Sequence, residues 1–271
     1  MRIVTARLRA AGAVLVGRTN LTEFAYSGLG LNGHYDTPRN PWDRETGRIP
    51  GGSSSGAGVS VADGMCAVAI GTDTGGSVRI PSALIGVTGF KTSTGRIPLD
   101  GVYPLSSTLD SIGPLAPTVT CCIVTDAILD DRAPIVPRAL PIENLRFGIP
   151  QHYVLDDLDH HVASMFEGAL EKLQRAGASI TEVDSPMLEE IPGAMPNGGI
   201  LGAEAFAHHR PRMDEFKDSY DPRVWVRIRR GENLSAADLI DCHRNRADII
   251  ARAREMAMPF DALLMPTCPT V

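Results

Sequence analysis

Two serines, Ser53 and Ser77, each follow a Gly-Gly pair and stand 24 positions apart. The stretch from Gly51 to Pro81 reads Gly-Gly-Ser-Ser-Ser-Gly-Ala-Gly, then an apolar passage, then Gly-Thr-Asp-Thr-Gly-Gly-Ser-Val-Arg-Ile-Pro. Glycine opens backbone conformations closed to other residues and lets a second group approach the main chain. A loop such as Thr74-Gly75-Gly76-Ser77 can aim several N–H groups at one point. That point suits the oxyanion of an acyl-transfer intermediate, with the Ser77 hydroxyl placed to attack. One Gly/Ser loop of this kind is more often a plain turn. A second loop, and Asp73 and Arg79 flanking Ser77, favour the chemical reading.

These loops need elements to hold them. Residues 2–11 suit a helix stopped by Gly12, and Ala13 to Val16 a buried strand. Asn20 with Glu23 resembles a capping box. Gly56 to Asp63 suits a helix whose N-terminus faces the Ser53 loop. Cys66 to Thr72 is a continuous apolar run, as in a central strand covered on both faces. Ser77 then emerges in the loop between that strand and the next helix, the usual place for a site in an open α/β sheet. Val87 to Lys91 reads as a further strand. A proline-rich connector from Asp126 to Pro150 contains the strand Arg146 to Ile149. An amphipathic helix follows, with Val162, Phe166, Leu170 and Leu173 at helical spacing and Gly177 at its end. Ser179 to Val183 is the next strand. Residues 186–258 read as mostly helical, with Ser235 capping a long helix.

The Gly51 to Ser82 stretch resembles the signature of the amidase signature family, serine hydrolases that cleave carbon–nitrogen amide bonds. The resemblance extends upstream through Gly17-Arg18-Thr19-Asn20-Leu21-Thr22-Glu23-Phe24-Ala25 and Thr37-Pro38-Arg39-Asn40-Pro41-Trp42. Downstream it takes in Gly89-Phe90-Lys91, Gly95-Arg96 and Ser107-Thr108-Leu109-Asp110-Ser111-Ile112-Gly113-Pro114. It is strong over about residues 13–130. It implies an α/β fold with a mixed central sheet flanked by helices on both faces. It makes 1–133 the signature core and 134–271 the second half of the same domain, which helps shape the substrate pocket. It implies Ser77 as nucleophile, Ser53 as proton relay behind a cis Gly52–Ser53 bond, and Thr74, Gly75, Gly76 and Ser77 as the oxyanion hole. Gly52, Ser54, Asp73 and Arg79 become supporting residues, with Arg79 expected to pair with a carboxylate.

The third member of the family's triad is a neutral lysine upstream of the first serine loop. No lysine precedes Ser53; the only lysines are Lys91, Lys172 and Lys217. Arginine stays protonated and cannot serve as the base. Asp261 to Thr267 resembles a family segment that enters a core strand and continues into further elements, so the chain reads as truncated at both ends. Three function classes follow: an amidase acting on a small or aryl amide, the glutamine-hydrolysing component of a tRNA-dependent amidotransferase, or a remnant without its base. The first is the preferred expectation, with a small-molecule amide as partner, no cofactor, and homodimer formation left open.

The 271 residues are 43% apolar with a formal net charge of −6, and contain no basic run. Nothing in them favours nucleic acid or an anionic membrane. The apolar passages are too short to cross a bilayer, and the N-terminus lacks a signal-peptide pattern, so a cytoplasmic location is expected. The five cysteines lack metal or disulfide spacing and read as buried thiols. Asp156, Asp157, Asp159, His160 and His161 read as a polar helix start rather than a metal site. His208-His209-Arg210 reads as surface helix before pocket lining, and Arg223 to Arg230 as an amphipathic face or, at most, a contact for an anionic substrate group.

Overall fold

The computed structural model describes residues 2–271. They divide into two compact units. The first comprises residues up to Val136 together with Ile200–Asn233; the second comprises Pro137–Gly199 and Leu234–Val271.

The first unit contains α1 (Arg2–Ala10), α2 (Ser55–Ala62), β1 (Ala69–Thr72), α3 (Arg79–Ile85), β2 (Thr88–Gly89), β3 (Ile112–Ala116) and α4 (Val119–Leu129). Its sheet is antiparallel in the order β1-β3-β2. The apolar run expected to form the central strand therefore lies at the edge of its sheet. Only its second half, from Ala69, is paired. The centre belongs to β3, whose five residues are all buried. Alternation and apolar content mark a strand as covered, but its place in the sheet depends on pairing with residues distant in sequence. Ala57, Val61, Ala69, Val78 and Leu115 pack as one apolar cluster, and Val4, Ile97, Ile112 and Leu129 as another. The first cluster joins α2 to β1 and β3, and the second joins α1 and α4 to β3, so these helices are held against the strands by apolar burial.

Two local expectations are corrected. Ala13 to Val16 forms no strand: Val14 and Val16 are 84% and 74% exposed. Strand-like composition alone does not make a strand, because the backbone groups need a neighbouring ladder; none pairs with this segment among the described residues. The turn after Asn20 is a single 3-10 turn, Glu23–Ala25, preceded by Thr22. Asn20 instead donates its Nδ2 to Asp36 O at 2.5 Å.

The second unit begins with β4 (Arg146–Pro150), α5 (His160–Arg175) and β5 (Ser179–Val183), followed by α6 (Ile191–Ala194). Helix α7 (Gly199–His209) and α8 (Pro222–Arg229) lead through the first unit to α9 (Ala236–Ala257) and β6 (Ala262–Leu263). The sheet is parallel, in the order β5-β4-β6. The molecule is thus mixed α/β, with its strands in one antiparallel and one parallel three-stranded sheet. Asp159 caps α5 by accepting from Val162 N at 2.8 Å. Gly177, at φ +99, turns the chain into β5. Ser235 and Asp238 form a full capping box at the start of α9. Met187, Ala194 and Ile249 pack together in this unit. No helix among the described residues is long and apolar enough to cross a membrane.

Candidate active site

Ser77 lies between β1 and α3, in the loop that the sequence reserves for it. Asp73 organises that loop. Its carboxylate is fully buried and accepts from Gly76 N at 2.7 Å, Val78 N at 3.1 Å and Arg79 N at 3.3 Å. Arg79 adds a two-pronged ion pair, Nε to Oδ2 at 2.9 Å and Nη2 to Oδ1 at 2.8 Å. A planar guanidinium matches the two carboxylate oxygens in this way, and a lysine would not. Burial by itself would raise the Asp73 pKa. The Arg79 hydrogen bonds and charge, with the Val78 and Gly76 amides, outweigh it and hold the carboxyl below the usual carboxylate range. The same pairing raises Arg79. Asp73 is therefore ionised across the neutral range and acts as the hub around which Gly76 to Arg79 turns.

Gly76 adopts φ +126, a conformation that side chains rarely accept, and a Cβ there would meet the Ile80 side chain at 2.6 Å. Of the four residues named for the oxyanion hole, Gly76 thus has its amide committed to Asp73. A Cβ on Gly75 would meet nothing within 4 Å, so the loop is open on that side. Ser77 itself is 7% exposed.

The first serine loop docks directly onto this one. Ser54 N–H donates to Ser77 O at 3.1 Å. The Gly52–Ser53 bond is cis. Ser53 O accepts from Thr22 N at 3.1 Å and Ser55 N at 2.9 Å, and Gly52 N donates to Gly28 O at 2.7 Å. A Cβ on Gly52 would lie 2.5 Å from Gly30 N, so only glycine permits the close backbone approach there. Ser53 is buried, and Ser54 packs its Oγ 2.5 Å from the point where a Cβ on Gly71 would stand. The structure brings the Ser53 and Ser77 loops side by side through this backbone bond; among the described residues, no hydrogen bond joins the two hydroxyls.

Of the three lysines, Lys91 donates Nζ to Thr92 O at 2.9 Å, and Lys217 lies over the Trp225 ring at 5.2 Å. Lys172 sits in the last turn of α5.

A third segment supports the Ser77 loop. Asp110 accepts Thr74 Oγ1 on one oxygen at 2.5 Å and Leu105 N on the other at 3.0 Å. Ser111 and Asp73 exchange backbone bonds at 2.8 and 3.1 Å, and Ser111 Oγ donates to Asp73 O at 2.7 Å. Glu204, on α7, accepts from Ser106 Oγ, Thr108 Oγ1 and Thr108 N, the last at 3.0 Å. Sequence reasoning passed over Glu204. Its one signal is that it is the sole charged side chain in the apolar run Ile200 to Ala207.

His209 corrects the surface-helix reading of its pair. It is 3% exposed, its Nδ1 is 2.9 Å from the Tyr220 hydroxyl, and its ring meets Phe24 edge-on. Burial, with His208 beside it, lowers its pKa to about 4, so it is neutral at physiological pH. Arg223 to Arg230 falls largely within α8 and buries Val224 and Ile228, as an amphipathic face does. All five cysteines are free; Cys122 and Cys242 are buried, and the other three are half-buried. Burial, with Cys121 and Asp126 adding, raises the Cys122 thiol to about 11.

A family model described as Amidase matches residues 2–271. The chain belongs to the amidase family. It is 38% identical over 268 residues to a 2-amino-5-chloromuconic acid deaminase of Comamonas testosteroni, covering 98% of this chain and 58% of that protein. It is 35% identical to an amidase of Pseudomonas putida, covering 97% of this chain and 58% of the relative. It is also 34% identical to the A component of the glutamyl-tRNA(Gln) amidotransferase of Roseiflexus castenholzii, covering 98% and 61%. A solved amidase structure superposes with a TM-score of 0.90 at 33% identity, covering 98% of this chain and 59% of that one. The chain spans about three-fifths of the length of these relatives.

Proposed function

We propose that this chain carries the acyl-transfer core of an enzyme that hydrolyses the carbon–nitrogen bond of a small-molecule amide. The observation that carries the reading is the Asp73-centred loop. It fixes the Ser77 backbone against the Ser53 loop while leaving the Gly75 side open. In this reading Ser77 Oγ attacks the amide carbonyl, its proton passes by way of Ser53 to the departing amine as the C–N bond breaks, and water then releases the acyl group from Ser77. With the Gly76 amide held by Asp73, the amides of Thr74, Gly75 and Ser77 are those available to the oxyanion. Ser54, Gly52, Asp73 and Arg79 hold the two loops in register. The neutral lysine that serves the family as base has no counterpart upstream of Ser53, so no base is assigned within these residues.

A fluorophosphonate probe tests the nucleophile. At alkaline pH, where solvent hydroxide takes up the proton, the probe should label Ser77, and Ser77→Ala should abolish labelling while the melting temperature stays close to wild type. Mass-spectrometric mapping of the label to Ser53 or Ser54 instead would overturn the assignment. The amidotransferase relatives favour a second reading, in which the amide is that of glutamine and the ammonia passes to a partner chain. Glutamine turnover appearing only when such a partner is added would select it over the free-standing amidase. The first reading places the protein in the cytoplasm and allows a homodimer.

A further inference from the structure

We infer that Glu204 is a positioning residue for the nucleophile loop, acting through the 105–111 segment; this rests on the proposed role of Ser77. Three contacts converge on its carboxylate, all from Ser106 and Thr108, 98 and 96 positions earlier in the chain. Ser106 is fully buried, and its Oγ also accepts from Leu109 N at 3.2 Å while its carbonyl accepts from Asp110 N at 3.0 Å. The turn from Ser106 to Asp110 is therefore closed on itself and tied to α7 by one charged group. Donors to a carboxylate bond about twice as strongly as donors to a neutral acceptor, so Glu204 is the dominant tether.

What this turn holds gives the tether its consequence. Asp110 carries the bond from Thr74 Oγ1, at the start of the Gly75-Gly76-Ser77 turn. Ser111 makes three hydrogen bonds to the backbone of Asp73, the hub of the same turn. Asp110 and Ser111 are each 3% exposed, so little water competes for these bonds. The nucleophile loop is thus clamped from within by the Asp73–Arg79 pair and from outside by Asp110 and Ser111. One end of the outer clamp runs into β3, and Glu204 ties its other end, at Ser106 and Thr108, to α7. Acyl transfer depends on oxyanion donors held within a few tenths of an ångström of their required places. A remote carboxylate can therefore govern the rate without touching the reacting atoms.

Hydrogen–deuterium exchange on the full chain tests this without requiring turnover. Glu204→Ala should accelerate exchange over 105–111 and over 73–78 by about tenfold or more, since it removes three charge-assisted bonds. Peptides from α4, in the same unit, should keep their wild-type rate. Glu204→Gln, which retains an acceptor oxygen, should fall between the two, and it carries the test if the alanine variant does not fold. Alkaline fluorophosphonate inactivation should lose maximal rate with an unchanged half-saturating probe concentration. Acceleration confined to 105–111, or equal acceleration in α4, would overturn the inference by making Glu204 a tie for its own turn or a general stabiliser. If wild type takes no label at Ser77, the acyl-transfer reading fails, and the exchange pattern still decides whether Glu204 positions the loop.

Discussion

Asp73 shows how one buried charge organises a tight loop. Its two oxygens take three backbone amides and a guanidinium, which leaves no lone pair facing apolar surroundings. Replacing it with Asn would turn an NH2 toward donors and leave Arg79 without a counter-charge. Asp73→Asn should therefore cost about 2–3 kcal/mol, read as a lower midpoint in urea, and should also abolish probe labelling at Ser77. The pH dependence has a definite sign. A carboxyl whose folded pKa is depressed stabilises the fold above its unfolded value, about 3.9. That contribution is lost as pH falls through the lower, folded value. Wild type should lose stability below about pH 4 more steeply than Asp73→Asn does. Parallel acid-denaturation curves would show that Asp73 does not carry this linkage.

At the scale of elements, legibility depended on whether the deciding partners were close in sequence. Ser235 and Asp238 lie three residues apart, and the capping box they form was visible as a cap at Ser235. Ser235→Ala should destabilise the second unit by about 1 kcal/mol, measured by thermal melting, and should leave labelling at Ser77 unchanged. An equal effect on labelling would mean that α9 is coupled to the Ser77 loop. Strands β4 and β5 were legible because a helix of regular period lies between them, as a parallel pair requires. Ala13 to Val16 had strand-like composition but no neighbouring ladder, and β1 went to the edge because β3, roughly forty residues later, took the centre. Neither outcome has a local cause.

At the scale of the whole molecule, the two serine loops come together without a lysine upstream of Ser53. Loss of a general base typically costs about 10²–10⁴-fold. The 271-residue chain should therefore turn over small amides slowly, and the rate of fluorophosphonate labelling should climb with pH through the neutral range, following solvent hydroxide. A plateau in that range would reveal a titrating base within the chain, and the family's Ser-Ser-Lys scheme would then not apply to it.

The sequence by itself determined the two glycine-flanked serines, the presence of Asp73 and Arg79 on either side of the second, and the strand–loop–helix setting of Ser77. Each rests on short stretches of neighbouring residues, where backbone geometry and charge pairing are local matters. Only the tertiary structure decided that Gly76 commits its amide to Asp73, that β3 is the central strand, and that His209 is buried beside Phe24 and Tyr220. It alone joined Glu204 to Ser106 and Thr108. Apart from the Gly76 bond, these are contacts between segments separated along the chain, and their formation depends on which apolar faces meet when the unit packs. Residue types allow such contacts; the packed fold selects among them.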